Sequence, residues 1–130
     1  MKEFRREIQY KKLFSEYVRV MNGIFGLSKR EAEVYSFIMQ LDTEWVKRSA
    51  KDYKDVLSTS NRRLIISECN IGKTNLSRLI ILLREKGLLV MNADGGYEVP
   101  SAIAIPHGSR SVEVVFTLNV DYGTGSGQGN

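Results

Sequence analysis

Residues 61–89 read Asn61-Arg62-Arg63-Leu64-Ile65-Ile66-Ser67-Glu68-Cys69-Asn70-Ile71-Gly72-Lys73-Thr74-Asn75-Leu76-Ser77-Arg78-Leu79-Ile80-Ile81-Leu82-Leu83-Arg84-Glu85-Lys86-Gly87-Leu88-Leu89. Leu64, Ile65 and Ile66 mark a short helix starting near Asn61. Cys69-Asn70-Ile71-Gly72 is a tight connection with the residue types that leave a helix and start another. A second helix, residues 73–86, follows. At about 100° per residue, Leu76, Leu79, Ile80 and Leu83 share one face and belong to a core. Thr74, Arg78 and Glu85 point away. Ile81 falls near Thr74 and Ser77, an apolar residue on the outward side. Lys86-Gly87 stops the helix.

Downstream, Leu88-Leu89-Val90-Met91 reads as a strand, Asn92-Ala93-Asp94-Gly95-Gly96 as a hairpin turn and Tyr97-Glu98-Val99 as the return strand. Pro100 limits further pairing. Residues 111–121 alternate: Val112, Val114, Phe116, Leu118 and Val120 on one face, Ser111, Glu113, Thr117, Asn119 and Asp121 on the other, with Val115 the exception. That strand needs a sheet edge, either the hairpin's or a partner's. Residues 123–130, rich in Gly, are expected to be a flexible tail.

Upstream, Ser28-Lys29-Arg30-Glu31 is a capping box for a helix over about 29–41, whose buried stripe is Val34, Ile38 and Leu41. Leu27 and Ala32 lie where a hydrophobic staple closes. Residues 42–60 spread Trp45, Val46, Tyr53, Val56 and Leu57 among charges and suggest no more than short helical turns. Tyr10, Phe14, Tyr17, Val18 and Met21 recur at three- and four-residue spacing, which predicts a helix over 3–21 ended by Asn22-Gly23.

The chain has 130 residues, 42% of them apolar and 26% charged, the size and composition of one globular domain. No apolar run could span a membrane, and the charged start Met1-Lys2-Glu3-Phe4-Arg5-Arg6 is unlike a signal peptide, so a cytoplasmic protein is expected. The lone cysteine, Cys69, and lone histidine, His107, exclude disulfide scaffolds and multi-cysteine or multi-histidine metal sites. No catalytic, metal or cofactor site is expected. Ile71-Gly72-Lys73-Thr74 is not a phosphate loop, since Ser67 stands where that motif needs Gly and a helix precedes it instead of a strand. His107 has no placeable nucleophile beside it, and Cys69 reads as a small apolar group. Charge is polarised: residues 1–90 hold 18 Lys/Arg against 11 Asp/Glu, and residues 91–130 one Arg against four acids. That balance suits a polyanion-binding N-terminal part.

The run Leu64–Ile80, together with Leu83-Arg84-Glu85-Lys86-Gly87-Leu88-Leu89, resembles the core of winged helix-turn-helix regulators, the MarR-like group being the nearest comparison. The resemblance spans about residues 27–100. It implies a winged helix-turn-helix domain (27–100); the N-terminal amphipathic helix (1–22), the stretch 42–60, the C-terminal strand extension (101–122) and the tail (123–130) lie outside it, and the whole is expected to be an α+β fold. The resemblance further implies a DNA-binding transcriptional regulator, associated with the nucleoid, that reads the major groove with helix 73–86. Lys73 and Thr74 stand where phosphate contacts are usual, Asn75 and Arg78 can read adenine and guanine, and Ser77 lies beside them. Arg62 and Arg63 are further phosphate candidates. The expected partners are double-stranded DNA and a second copy or another protein, engaged through residues 3–21 or 111–121. The hairpin departs from a DNA-contacting wing: it carries Asn92, Asp94 and Glu98, with no Lys or Arg from Leu88 to His107. The alternative is therefore a winged-helix adaptor making protein contacts in a replication or transcription machine or a virus particle.

Overall fold

The computed structural model describes residues 2–9 and 12–119. The fold is mixed α+β. Strand β1 (Lys2–Gln9) is followed by helices α1 (Leu13–Phe25), α2 (Lys29–Glu44), α3 (Thr59–Cys69) and α4 (Lys73–Glu85). Strands β2 (Val90–Met91), β3 (Tyr97–Glu98) and β4 (Ser111–Leu118) complete it. Two antiparallel two-stranded sheets result: β1 with β4, and β2 with β3.

The expected helix over 3–21 is corrected at both ends. Residues 2–9 are a strand, paired from Lys2↔Leu118 to Gln9↔Ser111. The helical spacing is real only from Leu13 onward, where Leu13, Tyr17 and Val18 are buried and Phe14 and Met21 half-buried. Tyr10 lies outside the described residues. The helix runs through Gly23 and ends at Gly26, whose left-handed backbone (φ 66°) lets its N–H reach the Asn22 carbonyl. The Asn22 side chain braces the exit by bonding both the N–H and the carbonyl of Leu27.

The Ser28/Glu31 capping box forms as read, Ser28 Oγ accepting from the Glu31 N–H and the Glu31 carboxylate from the Ser28 N–H. α2 then runs about a turn further than the spacing suggests, burying Val34, Tyr35, Ile38 and Met39. Residues 45–58 contain turns but no helix. Their purpose is edge pairing: the Val56 N–H donates to the Tyr97 carbonyl, and Asp55 Oδ1 accepts from the N–H groups of Tyr97 and Leu57. Segment 55–57 thus borders β3 on the side away from β2.

The β2–β3 hairpin is closed by Asn92, whose carbonyl oxygen Oδ1 accepts from the N–H groups of Asp94 and Gly96. The Tyr35 hydroxyl holds the chain before the hairpin by donating to the Leu88 carbonyl, and beyond the hairpin the chain returns over the helices, held by the hydroxyls of Tyr17, on the Ile103 carbonyl, and Thr43, on that of Ile105. β4 does not extend the hairpin. Val112 and Val114 pack on the core, whereas Phe116 and Leu118, on the same face, stay exposed. Val120, Asp121 and the Gly-rich tail lie outside the described residues.

Candidate nucleic-acid interface

α4 is fixed by its apolar face. Leu76, Leu79, Ile80 and Leu83 are buried, with Ile65 of α3 packed in the same core. Burial at about 25 cal/mol per Å² makes this seam, not helix propensity, the reason residues 73–85 hold one orientation. The opposite side is left open: Lys73, Thr74, Asn75, Ser77 and Arg78 are all exposed.

The turn into α4 is held from outside. Asn70 takes a left-handed backbone (φ 51°), which Asn tolerates better than most residues. The Arg30 guanidinium, at the start of α2, donates to the carbonyls of Cys69 and Asn70. α2 therefore aims α4 as well as packing on it. A surface cleft of about 530 Å³ lies between them, with Arg30, Asn70, Gly72, Asn75 and Arg78 on its walls.

The start of α4 differs from those of α2 and α3. Ser28 and Ser58 cap the earlier helices with side-chain oxygens. α4 starts at Gly72 with no side-chain cap, and its first intrahelical bond is Leu76 N–H to the Gly72 carbonyl. The N–H groups of Lys73, Thr74 and Asn75 precede that bond and point out of the helix end, where the backbone dipole favours an anion. Lys73, Asn75 and Arg78 make no side-chain hydrogen bond or ion pair among the described residues; Ser77 Oγ donates to the Lys73 carbonyl at 3.1 Å.

The other two candidates separate. Arg63 is exposed on α3. Arg62 is half-buried, and its Nε donates to the Leu57 carbonyl at 2.8 Å, tying the start of α3 to the segment before it. Sequence reading missed Arg30, whose capping-box position signalled only a helix start.

Charge around α4 is divided. Lys54 is drawn inward by Asp42 (3.0 Å), whose buried carboxylate also accepts the Val99 N–H. Arg84 lies over the Tyr97 ring, 5.1 Å from its centroid. Toward the hairpin the surface turns apolar: Ile81, Val90 and Met91 are exposed, with Asp94 and Glu98 nearby in the hairpin.

His107 and Cys69 sit in structural settings. His107 Nδ1 lies 2.9 Å from the Thr43 carbonyl. Burial, foremost, raises the Cys69 thiol above its ordinary range, which keeps it protonated and a poor nucleophile. Among the described residues no three His, Cys, Asp or Glu side chains gather as a metal site, and no helix is long and apolar enough to cross a membrane.

No protein-family model, curated protein or solved structure matches this chain.

Proposed function

We propose that the protein is a winged-helix DNA-binding protein, a transcriptional regulator that lays the start of α4 in the major groove of duplex DNA. The observation that carries this reading is the exposed, uncapped and basic opening of a helix whose far side is fastened to the core. A helix about 10–12 Å across fits the major groove. Asn75 then meets adenine and Arg78 guanine edges. Lys73, Thr74, Arg63 and the free N–H groups of α4 take backbone phosphates. Arg62 moves from phosphate contact to bracing α3. The activity is binding, with no catalytic step, and its setting is the nucleoid of the cytoplasm.

The test is binding to a random-sequence duplex pool, followed by selection of preferred sites, at several salt concentrations. Affinity falls steeply with salt, with a slope of about −0.9 per phosphate contacted. Asn75→Ala and Arg78→Ala each cost about 1–3 kcal/mol on the selected site and relax preference there. Lys73→Ala weakens all sequences alike and reduces the slope by about 1. Salt-independent or absent binding sinks the proposal.

A second reading, a winged-helix adaptor in a larger assembly, is favoured by Ile81, Val90 and Met91. Three exposed apolar side chains beside an acidic hairpin form a surface better matched to protein than to phosphate. A wild-type chain with little affinity for duplex DNA that holds a protein partner, and an Ile81→Asp variant that loses that partner, support this reading over the first.

A further inference from the structure

We propose that two copies of this chain associate through the free edge of β4, forming a four-stranded sheet in the order β1–β4–β4–β1 about a two-fold axis at Val115. This proposal stands apart from DNA binding.

The ribbon β1–β4 is eight residues long and two strands wide. Such a ribbon is marginal in water by itself, and each outer edge presents unpaired backbone groups to any passing strand. Among the described residues no backbone hydrogen bond runs from residues 111–119 to any element other than β1.

The two edges differ in sequence. β1, KEFRREIQ, carries Lys2, Glu3, Arg5, Arg6 and Glu7, the charge density that natural edges use to deter pairing. β4, SVEVVFTL, carries only Glu113. Its edge is the undefended one, and it is rich in β-branched and aromatic residues that favour strand pairing.

Symmetry then restricts the register. A two-fold axis normal to the sheet carries each face onto itself, so only residues of like parity can be opposed. Centring the axis on Val115 places Val115 against the partner's Val115 and Glu113 against the partner's Thr117. On the other face it places Val114 against the partner's Phe116 and Val112 against the partner's Leu118. Apolar thus meets apolar and polar meets polar on both faces, with no Glu opposite Glu. Moving the axis to Val114 sets Glu113 against Val115.

The Val115 register also explains the overhang. Val112 and Val114 sit on the core of their own copy, while Phe116 and Leu118 are 38% and 49% exposed. In the dimer each copy's exposed pair lies beside the pair that packs on the partner's core, so both overhangs gain cover at once. No other occupant is self-complementary in this way.

The experiment is sedimentation velocity on the full chain without nucleic acid, across a wide concentration series. The mass rises from 14.8 kDa toward twice that value. Val115→Glu and Val115→Lys, each on an exposed side chain, weaken association about tenfold or more when alone. An equimolar mixture of the two restores the dimer. Thr117→Glu, which faces the partner's Glu113 in the dimer and Glu3 in its own ribbon, weakens association, and adding Glu113→Lys to that variant restores it. Circular dichroism of each variant reads whether the fold is retained, and the Thr117→Glu single and double variants serve if the Val115 variants unfold. A wild-type chain that stays monomeric throughout, or a charge-swapped mixture no more dimeric than its components, overturns the proposal.

Discussion

Gly96 shows how a single hydrogen in place of a methyl group positions the hairpin. A Cβ built on it would stand 2.1 Å from the Lys54 carbonyl oxygen and 2.9 Å from Asp55 Cβ. The first of these is backbone, and it is already engaged: the Lys54 carbonyl accepts from Asn92 Nδ2. Neither side can retreat without breaking the Val56–Tyr97 pairing beside it. Gly96→Ala is therefore expected to destabilise the fold by about 1–3 kcal/mol, the usual cost of overpacking, read as a lower urea midpoint. Gly23 is the contrast. It lies inside α1 with nothing within 4 Å of its would-be Cβ, so Gly23→Ala gains up to about 1 kcal/mol from helix propensity. If both variants shift the midpoint the same way, the close approach at Gly96 is not what holds the hairpin.

At the scale of elements, the opening of α4 places stability and binding in opposition. Gly72 has an extended backbone (φ −72°, ψ 153°), the conformation of a normal cap, and open space around its would-be Cβ. Gly72→Asp supplies the missing carboxylate cap and a favourable charge at the helix start, worth a few tenths to about 1 kcal/mol of stability. The same carboxylate occupies the N–H groups proposed to take a phosphate, so DNA affinity falls while the thermal midpoint rises. A variant that gains stability and binds DNA unchanged removes the helix end from the interface. This element was legible in sequence because its signals are local: apolar spacing from Leu76 to Leu83, a turn before it, Lys86-Gly87 after it. The α2 cap was legible for the same reason. β1 was not. Its partner, β4, lies more than a hundred residues away, and a mixed run such as Lys2–Gln9 satisfies either period when only its neighbours are read. The role of Arg62 was hidden likewise, since nothing in its sequence surroundings reveals that the Leu57 carbonyl comes within reach.

For the whole molecule, the polarity of charge seen in sequence survives folding, because the Lys54–Asp42 pair takes one charge of each sign from residues 1–90 and leaves their balance unchanged. What closes the molecule is a set of hydroxyl bonds across long sequence separations, and two of them carry a pH dependence. The Tyr35 hydroxyl, bonded to the Leu88 carbonyl, is raised above the ordinary tyrosine value by burial first, then by the Asp42 carboxylate and by Tyr17. Tyr17, bonded to the Ile103 carbonyl, is raised by burial. Both phenols thus hold their protons more tightly folded than unfolded. Their contribution to stability is complete below the unfolded value of about 10 and is lost as pH climbs from there through the folded values. The slope is at most about 1.4 kcal/mol per pH unit for each group. Urea midpoints should therefore show no tyrosine-linked change between about pH 7 and 9 and fall above about pH 10; doing the measurement in a Cys69→Ser background removes the thiol, which is also raised. Tyr35→Phe is less stable at neutral pH, because the Leu88 carbonyl loses its donor, yet its stability falls less steeply in alkali. The two curves converge as pH rises. Parallel curves would mean that Tyr35 ionises as readily in the folded chain as in the unfolded one, and that the core around α2 admits water at the Leu88 contact.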